Sequence, residues 1–425
     1  MSSFEPPPTE TRDFKQLIAP FFGSSVLRNR TLLAVSCSVF AAYVGIGMVG
    51  PVRVLFAQSR GASLTIIGAM ASSFLISNFL FQYPVGWLAD HWGHKRVMVI
   101  GLVIQAILSA MYLLIVDPVT FVVLRFLEGI GAAALLPTAR AIIIDTIPRE
   151  KQGEAYGTFA AFFNAGFLLG PAIGGLLATV DARSVFIGAV ICRLIAIVIV
   201  LTTVKTIGHG STNGIVTPQV REVLSYRALF TLPLIAAYII VFGDYLYVGF
   251  DMSLMPLWLH DHLGASVAVI GLTYLVWSLP NTILSPFGGR IADRHKRSKL
   301  IFISGLAQAP LYLIYGLANT VILIVIFFGV HGLAYAFMQP AVDAHVASSS
   351  VSTARAQVQG MYSTFGLLGA FVGASGLGPL YDINFRLPLF AIGIVFALCI
   401  LIGGTLIHLS EKEKETIVAG RTAVD

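Results

Sequence analysis

The chain has 425 residues, of which 56% are hydrophobic and only 11% charged, with a formal net charge of +6. A soluble domain carries about 25% charged residues, so this composition excludes a protein whose whole surface faces water. Three cysteines, Cys37, Cys192 and Cys399, lie far apart in apolar runs; without clustered spacing they read as small apolar residues, not as a disulfide or metal framework.

Residues 1–30 are polar and proline-rich with interspersed acids. A basic start, a short apolar core and a cleavage site are all missing, so no signal peptide is expected and the segment reads as cytoplasmic. A bilayer core takes about 20 helical residues per crossing. Apolar stretches of that length recur at 31–56, 66–85, 97–116, 119–143, 155–179, 184–204, 229–258, 266–287, 300–317, 320–346, 357–380 and 387–408, which predicts twelve transmembrane helices. Between the second and third lies a charged passage, GWLADHWGHKRV (86–97). The fourth contains RFLEGIGAA from Arg125, and the fifth GTFAAFFNAGFLLGPAIGG from Gly157. The longest polar interruption, 205–227, forms a linker (205–228) between a six-span unit at 31–204 and another at 229–408; a polar tail, 409–425, follows.

The two units repeat. GWLAD at Gly86 returns as GRIAD at Gly289, 203 residues later, and the same offset relates Gly129 to Gly332, Pro137 to Pro340 and Gly157 to Gly360. Two six-span repeats joined by a linker form a transporter architecture whose working site lies between them near mid-membrane. With both termini and the linker inside, twenty Lys and Arg fall in inner segments, four within spans (Arg53, Arg125, Arg140, Arg193), and only Arg60, Arg183 and Arg386 outside. The positive-inside rule fixes that orientation. The basic residues therefore orient the chain in a lipid bilayer and are not a nucleic-acid footprint.

The passage at 86–97 resembles the signature of the major facilitator superfamily between spans two and three, G-x-L-A-D-x-x-G-x-K-R, through Gly86, Leu88, Ala89, Asp90, Gly93, Lys95 and Arg96. Histidines, His91 and His94, replace two basic residues usual there, and the second copy, with Gly289 and Asp293, has Lys296 where the first has Gly93. Arg125, Gly129 and Gly131 match a second family pattern in span four. Gly157, Gly166, Gly170, Pro171, Gly174 and Gly175 fit the fifth-span pattern G-x8-G-x3-G-P-x2-G-G, which in that family accompanies antiporters. The resemblance covers essentially the whole chain. It implies an all-α polytopic fold of twelve transmembrane helices in two pseudo-symmetric six-helix bundles. It further implies an exporter of the twelve-span drug:proton antiporter group that rocks between inward- and outward-facing states. In that group Asp90, with its motif neighbours, latches the outward-facing state against the other half near the start of span eleven. Independently of the name, small residues at three- and four-residue spacing let helix backbones approach closely, and Gly170-Pro171 removes a backbone donor and should bend its helix.

Ionisable groups inside a bilayer are costly and so face a cavity or a partner. The first half holds Arg53, Arg125, Arg140, Arg193 and one acid, Glu128; the second holds Asp244, Asp251 and Asp343 with His331 and His345. A cationic wall facing an anionic one is expected. Arg125 and Glu128, three apart, share one helical face, as do Asp244 and Asp251, seven apart, at about 10 Å along the axis. Glu128, Asp244, Asp251 and Asp343 are the candidate proton carriers, Asp244 nearest a span's middle. Arg53, Arg125, Arg140, Tyr43, Asn281 and His331 are candidates for the substrate cavity. Phe74, Phe79, Tyr238, Tyr245, Tyr247, Trp258 and Trp277 are further aromatics for packing or for the pocket. Arg140 and Asp343 are repeat-related and opposite in charge, which motivates an inner gate between them. Arg193 stays open between a carboxylate of its own half and an anionic lipid head.

Proton-coupled export of amphipathic small molecules is the expected function. Export or flipping of an anionic metabolite or lipid is the alternative, motivated by the arginines. A membrane sensor would need a soluble module that the short linker and tails do not supply. No nucleophile–base pair, metal cluster or phosphate loop is present, so neither an enzyme nor a cofactor is expected. The expected partners are the substrate, protons and the bilayer of the cell membrane, with the monomer as the functional unit.

Overall fold

The computed structural model describes residues 29–115, 117–148, 151–204, 229–350 and 355–422. The expected N-terminal segment up to residue 28 and the linker 205–228 lie outside the described residues, and with them Arg12, Lys15, Arg28, Arg149, Lys205, Arg221 and Arg227, which the sequence places on the inner side as an expectation. Twelve helices are long and apolar enough to cross a membrane. They are α1 (Arg30–Ser59), α2 (Leu64–Trp92), α3 (His94–Met111), α4 (Pro118–Thr146), α5 (Ala155–Ala178) and α6 (Ala182–Thr203). The second unit gives α7 (Leu232–Ser253), α8 (Val267–Arg294), α9 (Arg297–Leu317), α10 (Val321–Ser349), α11 (Gln357–Ile383) and α12 (Leu387–Glu413).

The helix starts follow local chemistry. Asn29 Oδ1 accepts from the amides of Thr31 and Leu32, both at 3.0 Å, and Asp117 Oδ2 accepts from Thr120 N at 3.0 Å, ahead of Pro118 in the first turn. These side chains satisfy donors that a helix start leaves unpaired. Gly61 (φ 86°) and Gly264 (φ 65°), a further repeat-related pair, end the turns that lead into α2 and α8. Gly93 (φ 94°) makes the tight reversal into α3, whereas its repeat counterpart Lys296 takes φ −59°. The second loop therefore turns without a left-handed residue, which accounts for the loss of its glycine.

The pairings repeat too. In the first bundle α1 packs against α5 and α6, α2 against α4, and α3 against α6; in the second, α7 packs against α11 and α12, α8 against α10, and α9 against α12. The close approaches occupy equivalent places. A Cβ at Gly129 of α4 would stand 2.6 Å from Phe74 O of α2, and one at Gly332 of α10 would stand 1.9 Å from Trp277 O of α8. Large apolar side chains such as Ile107, Ile187, Val198, Ile322 and Leu398 are exposed on the outer surface, as suits a protein solvated by lipid.

Both ends of the twelve-helix chain lie on one side, here called the terminal side. On the far side the bundles touch: Gln58 Nε2 donates to Asp261 Oδ2 at 2.6 Å, the Ser72 and Ser375 hydroxyls are hydrogen-bonded, and α5 meets α8 where a Cβ at Gly271 would lie 2.2 Å from Pro171 O. On the terminal side Gly86 and Gly157 have no neighbour within 4 Å of a Cβ position, and Gly289 has only Pro340 at 3.9 Å. Gly86 therefore makes no close helix packing in this conformation, because its end of α2 lies where the bundles stand apart. Gly166, Gly170, Gly174 and Gly175, by contrast, press on α1 or α8.

Candidate functional site

Between the bundles lies a cavity of about 540 Å³, within the range of small-molecule sites. Its first-half wall is built around one carboxylate. Glu128 on α4 is buried, and its Oε2 accepts from Arg125 Nη1 at 2.8 Å, Arg53 Nη1 at 3.3 Å and Tyr112 Oη at 3.2 Å. The three-residue spacing of Arg125 and Glu128 does place them side by side. Arg125 also lies over the Phe74 ring, 4.0 Å from its centroid, where the ring face attracts a cation.

Arg193 on α6 resolves its open alternatives by turning inward. It is 3% exposed, lines the cavity, and donates from Nε to Gln105 Oε1 at 3.3 Å and from Nη1 to Ala189 O at 3.1 Å. It reaches past α1 over Gly45, where a Cβ would stand 3.2 Å from Arg193 Nη1. It therefore neither touches lipid nor bonds a carboxylate directly. The first wall thus carries four guanidinium groups, Arg53, Arg125, Arg140 and Arg193, and a single acid, Glu128.

The facing wall is anionic and aromatic. Asp244 and Asp251 of α7 both line the cavity, with Tyr247, Tyr274, Trp277 and His331. Asp251 Oδ1 accepts from Tyr274 Oη at 3.1 Å, and Asp244 Oδ2 has no hydrogen-bond partner in the protein. Neither aspartate has a cationic side chain within ion-pair distance among the described residues. His331 is buried between two tyrosines, its Nδ1 3.2 Å from Tyr315 Oη and its Nε2 3.4 Å from Tyr312 Oη.

Of the cavity candidates, Tyr43, Arg53, Arg125, Arg140 and His331 line it, as do Glu128, Asp244, Asp251, Phe74, Tyr247 and Trp277. Asn281 does not; its Oδ1 accepts instead from Ser285 Oγ at 2.9 Å, one turn along α8. Phe79 is exposed on α2, Tyr238 and Trp258 are core residues, and Tyr245 lies off the cavity. Asp343 lies outside the cavity, exposed towards the terminal side, and accepts from Gln339 Nε2 at 3.1 Å. Arg140 borders both the cavity and a second hollow lined by Tyr156, Phe159 and Phe163, and makes no ion pair with Asp343 here. Asp90 lies 3.9 Å from His94 Nε2 with an exposed carboxylate. Lys95 Nζ donates to Leu201 O at 3.1 Å and to Val204 O, fastening α3 to the last turn of α6, where a helix end favours a cation.

Sequence reasoning missed Gln105 and Tyr112, and the pairing of Glu128 with His331. The repeat offset finds them: Tyr112 and Glu128 map onto Tyr315 and His331, Gln105 onto Gln308, and Gly166 and Gly170 onto Gly369 and Gly373.

The sequence profile of the Major Facilitator Superfamily matches residues 35–254 and 239–423. Quinolone resistance protein NorA of Staphylococcus aureus (strain COL) is 24% identical over 392 residues, covering 91% of this chain and 97% of that protein. Multidrug resistance protein 2 of Bacillus subtilis (strain 168) is 24% identical over 413 residues, covering 93% and 98%. Among solved structures, the inward-facing, unoccupied bacterial homolog of the human lysosomal transporter Spinster superposes with a TM-score of 0.73 at 16% identity, over 91% of this chain and 98% of that one. The nucleoside transporter NupG gives 0.71 at 17% identity, over 89% and 99%.

Proposed function

The chain belongs to the major facilitator superfamily, and from that we propose that this membrane transporter exports amphipathic small molecules by proton-coupled antiport, its two bundles rocking about the central cavity. The observation that carries the reading is the uncompensated acid pair on α7. Asp244 and Asp251 line the cavity beside aromatic rings with no cationic partner, whereas Glu128 already has two. Of the four candidate acids, these two are best placed to exchange a substrate's positive group for a proton. A ligand shifts a conformational equilibrium only through its differential affinity for the two states, and competition at one carboxylate supplies that difference. The resistance-protein relatives favour drugs as the substrates.

The terminal side is taken as cytoplasmic, since it carries Arg30, Lys95, Arg96, Arg290, Arg294 and Lys299, against Arg60, Arg183 and Arg386 on the far side. In that orientation the present conformation is inward-open. The test is dye transport by the purified protein in liposomes. An imposed pH gradient should drive accumulation, and Asp244→Asn should abolish the response to the gradient; transport indifferent to the gradient would refute antiport. The surplus of arginine on the first wall favours a second reading, export of an anion, and competition by anionic rather than cationic dyes would select it.

A further inference from the structure

The two walls leave complementary groups without protein partners. On the first wall Gln105 is 2% exposed; Arg193 occupies its oxygen, and its Nε2 has no acceptor in the protein. On the facing wall Asp244 is 3% exposed and its Oδ2 has no donor. Both residues line the same cavity. Buried polar groups are almost always paired, and an unpaired one forfeits its desolvation cost. An orphaned donor beside a surplus of guanidinium and an orphaned acceptor beside a surplus of carboxylate call for different ligand groups. The first suits a carboxylate, which takes planar guanidinium and amide donors. The second suits an ammonium. Trp277 Nε1, also without a partner, lies on the acidic wall with Tyr247, where the ring faces attract a cation.

We infer that the cavity is built for a zwitterion: an aromatic molecule with a carboxylate that docks on Gln105 and Arg193 and a basic nitrogen that docks on Asp244. This rests on the transport reading for its purpose, though not for its test, because binding is measured without transport. A purely cationic ligand leaves the arginine wall facing its own charge surplus, and a purely anionic one leaves the acids unpaired. Discrimination comes from the mismatched group as much as from the matched one.

The experiment uses three xanthene dyes of nearly one shape with the full-length purified protein. Rhodamine 110 carries both charges, rhodamine 123 is its methyl ester and only cationic, and fluorescein is anionic. Fluorescence polarisation should show rhodamine 110 binding at least about tenfold tighter than either, since hydrogen bonds to charged groups are the strong ones. The preference of rhodamine 110 over rhodamine 123 should fall towards one in Gln105→Leu and in Arg193→Gln. The preference of rhodamine 110 over fluorescein should fall in Asp244→Asn. Gel filtration of each variant separates a lost group from a lost fold, and Arg193→Lys, which keeps the charge, should retain part of the preference. Equal affinity for rhodamine 110 and its ester, or no binding of rhodamine 110, overturns the inference. Failure of the transport reading shows itself separately, as dye movement indifferent to a pH gradient.

Discussion

At the scale of single residues, the first wall is held together by Glu128. Its carboxylate and the Arg125 side chain are 6% and 5% exposed, and that of Arg53 is 12% exposed. Removing one partner of a buried ion pair costs about 3–5 kcal/mol because the other charge is left uncompensated. Glu128→Gln should therefore destabilise the purified protein by about 3 kcal/mol, read as a lowered thermal midpoint in detergent. Arg53→Gln should cost less, because Arg125 still satisfies the acid. In the double variant Glu128→Gln, Arg125→Gln the loss should be smaller than the sum of the two single losses, since groups in contact couple. Strict additivity would show that the carboxylate is not the shared counter-ion. Tyr112 joins the cluster through its hydroxyl, and Tyr315 repeats that role beside His331 with no arginine at the equivalent positions of the repeat. One backbone plan thus supports two electrostatic settings: Arg53 and Arg125 in the first half correspond to Pro256 and Phe328 in the second.

At the scale of helices, small residues do two separable jobs. Gly174 lets α5 lie on α1 within the first bundle, where a Cβ would stand 2.3 Å from Met48 O. Gly271 instead lets α8 approach α5 across the bundle interface, against Pro171 O. Gly174→Val should therefore weaken the bundle itself and lower the yield of folded protein. Gly271→Val should leave the bundles intact but obstruct closure of the far side. In a background with Cys37, Cys192 and Cys399 replaced, a cysteine at Met252 should then label faster from the far side than in the Gly271 parent. Unchanged labelling in Gly271→Val would mean that this seam does not seal the far side. The twelve spans and the small-residue face of α5 that includes Gly174 were legible in the sequence because apolar length and small-residue spacing act locally along a helix; the α8 side of the seam at Gly271 was not. Rotation about each helix axis was less legible. Asn281 is expected from the sequence to line the cavity, and a side chain one turn away decides otherwise: its Oδ1 is held by Ser285 on its own helix. Arg193 could not be assigned because its partners, Gln105 and the Ala189 carbonyl, come from tertiary packing and from its own preceding turn.

At the scale of the whole molecule, the question is what closes the terminal side when the far side opens. If the bundles rock about a pseudo-twofold axis as proposed, equivalent positions exchange environments, and repeat-related residues on the terminal side are the ones brought together. Gln58 and Asp261, 203 residues apart and bonded across the far side in this conformation, show that a repeat-related pair can join the halves. Arg140 and Asp343 have the same relationship and opposite charges, and stand apart while the terminal side is open. Asp90 is placed for a similar task, exposed at the end of α2, although residues 351–354, just before the α11 that it is expected to meet, lie outside the described residues. If Arg140 and Asp343 form the inner gate, Arg140→Asp and Asp343→Arg should each cut transport by tenfold or more, as expected for about 1.4 kcal/mol or more lost from the closed state. Combining them should restore transport to within about threefold of the parent, because the pair is re-formed in reverse. Each single variant should also raise labelling of a terminal-side cysteine at Tyr156. Near-normal transport in Arg140→Ala would remove the gate from the mechanism and leave Arg140 as a wall of the entrance it shares with Tyr156 and Phe163.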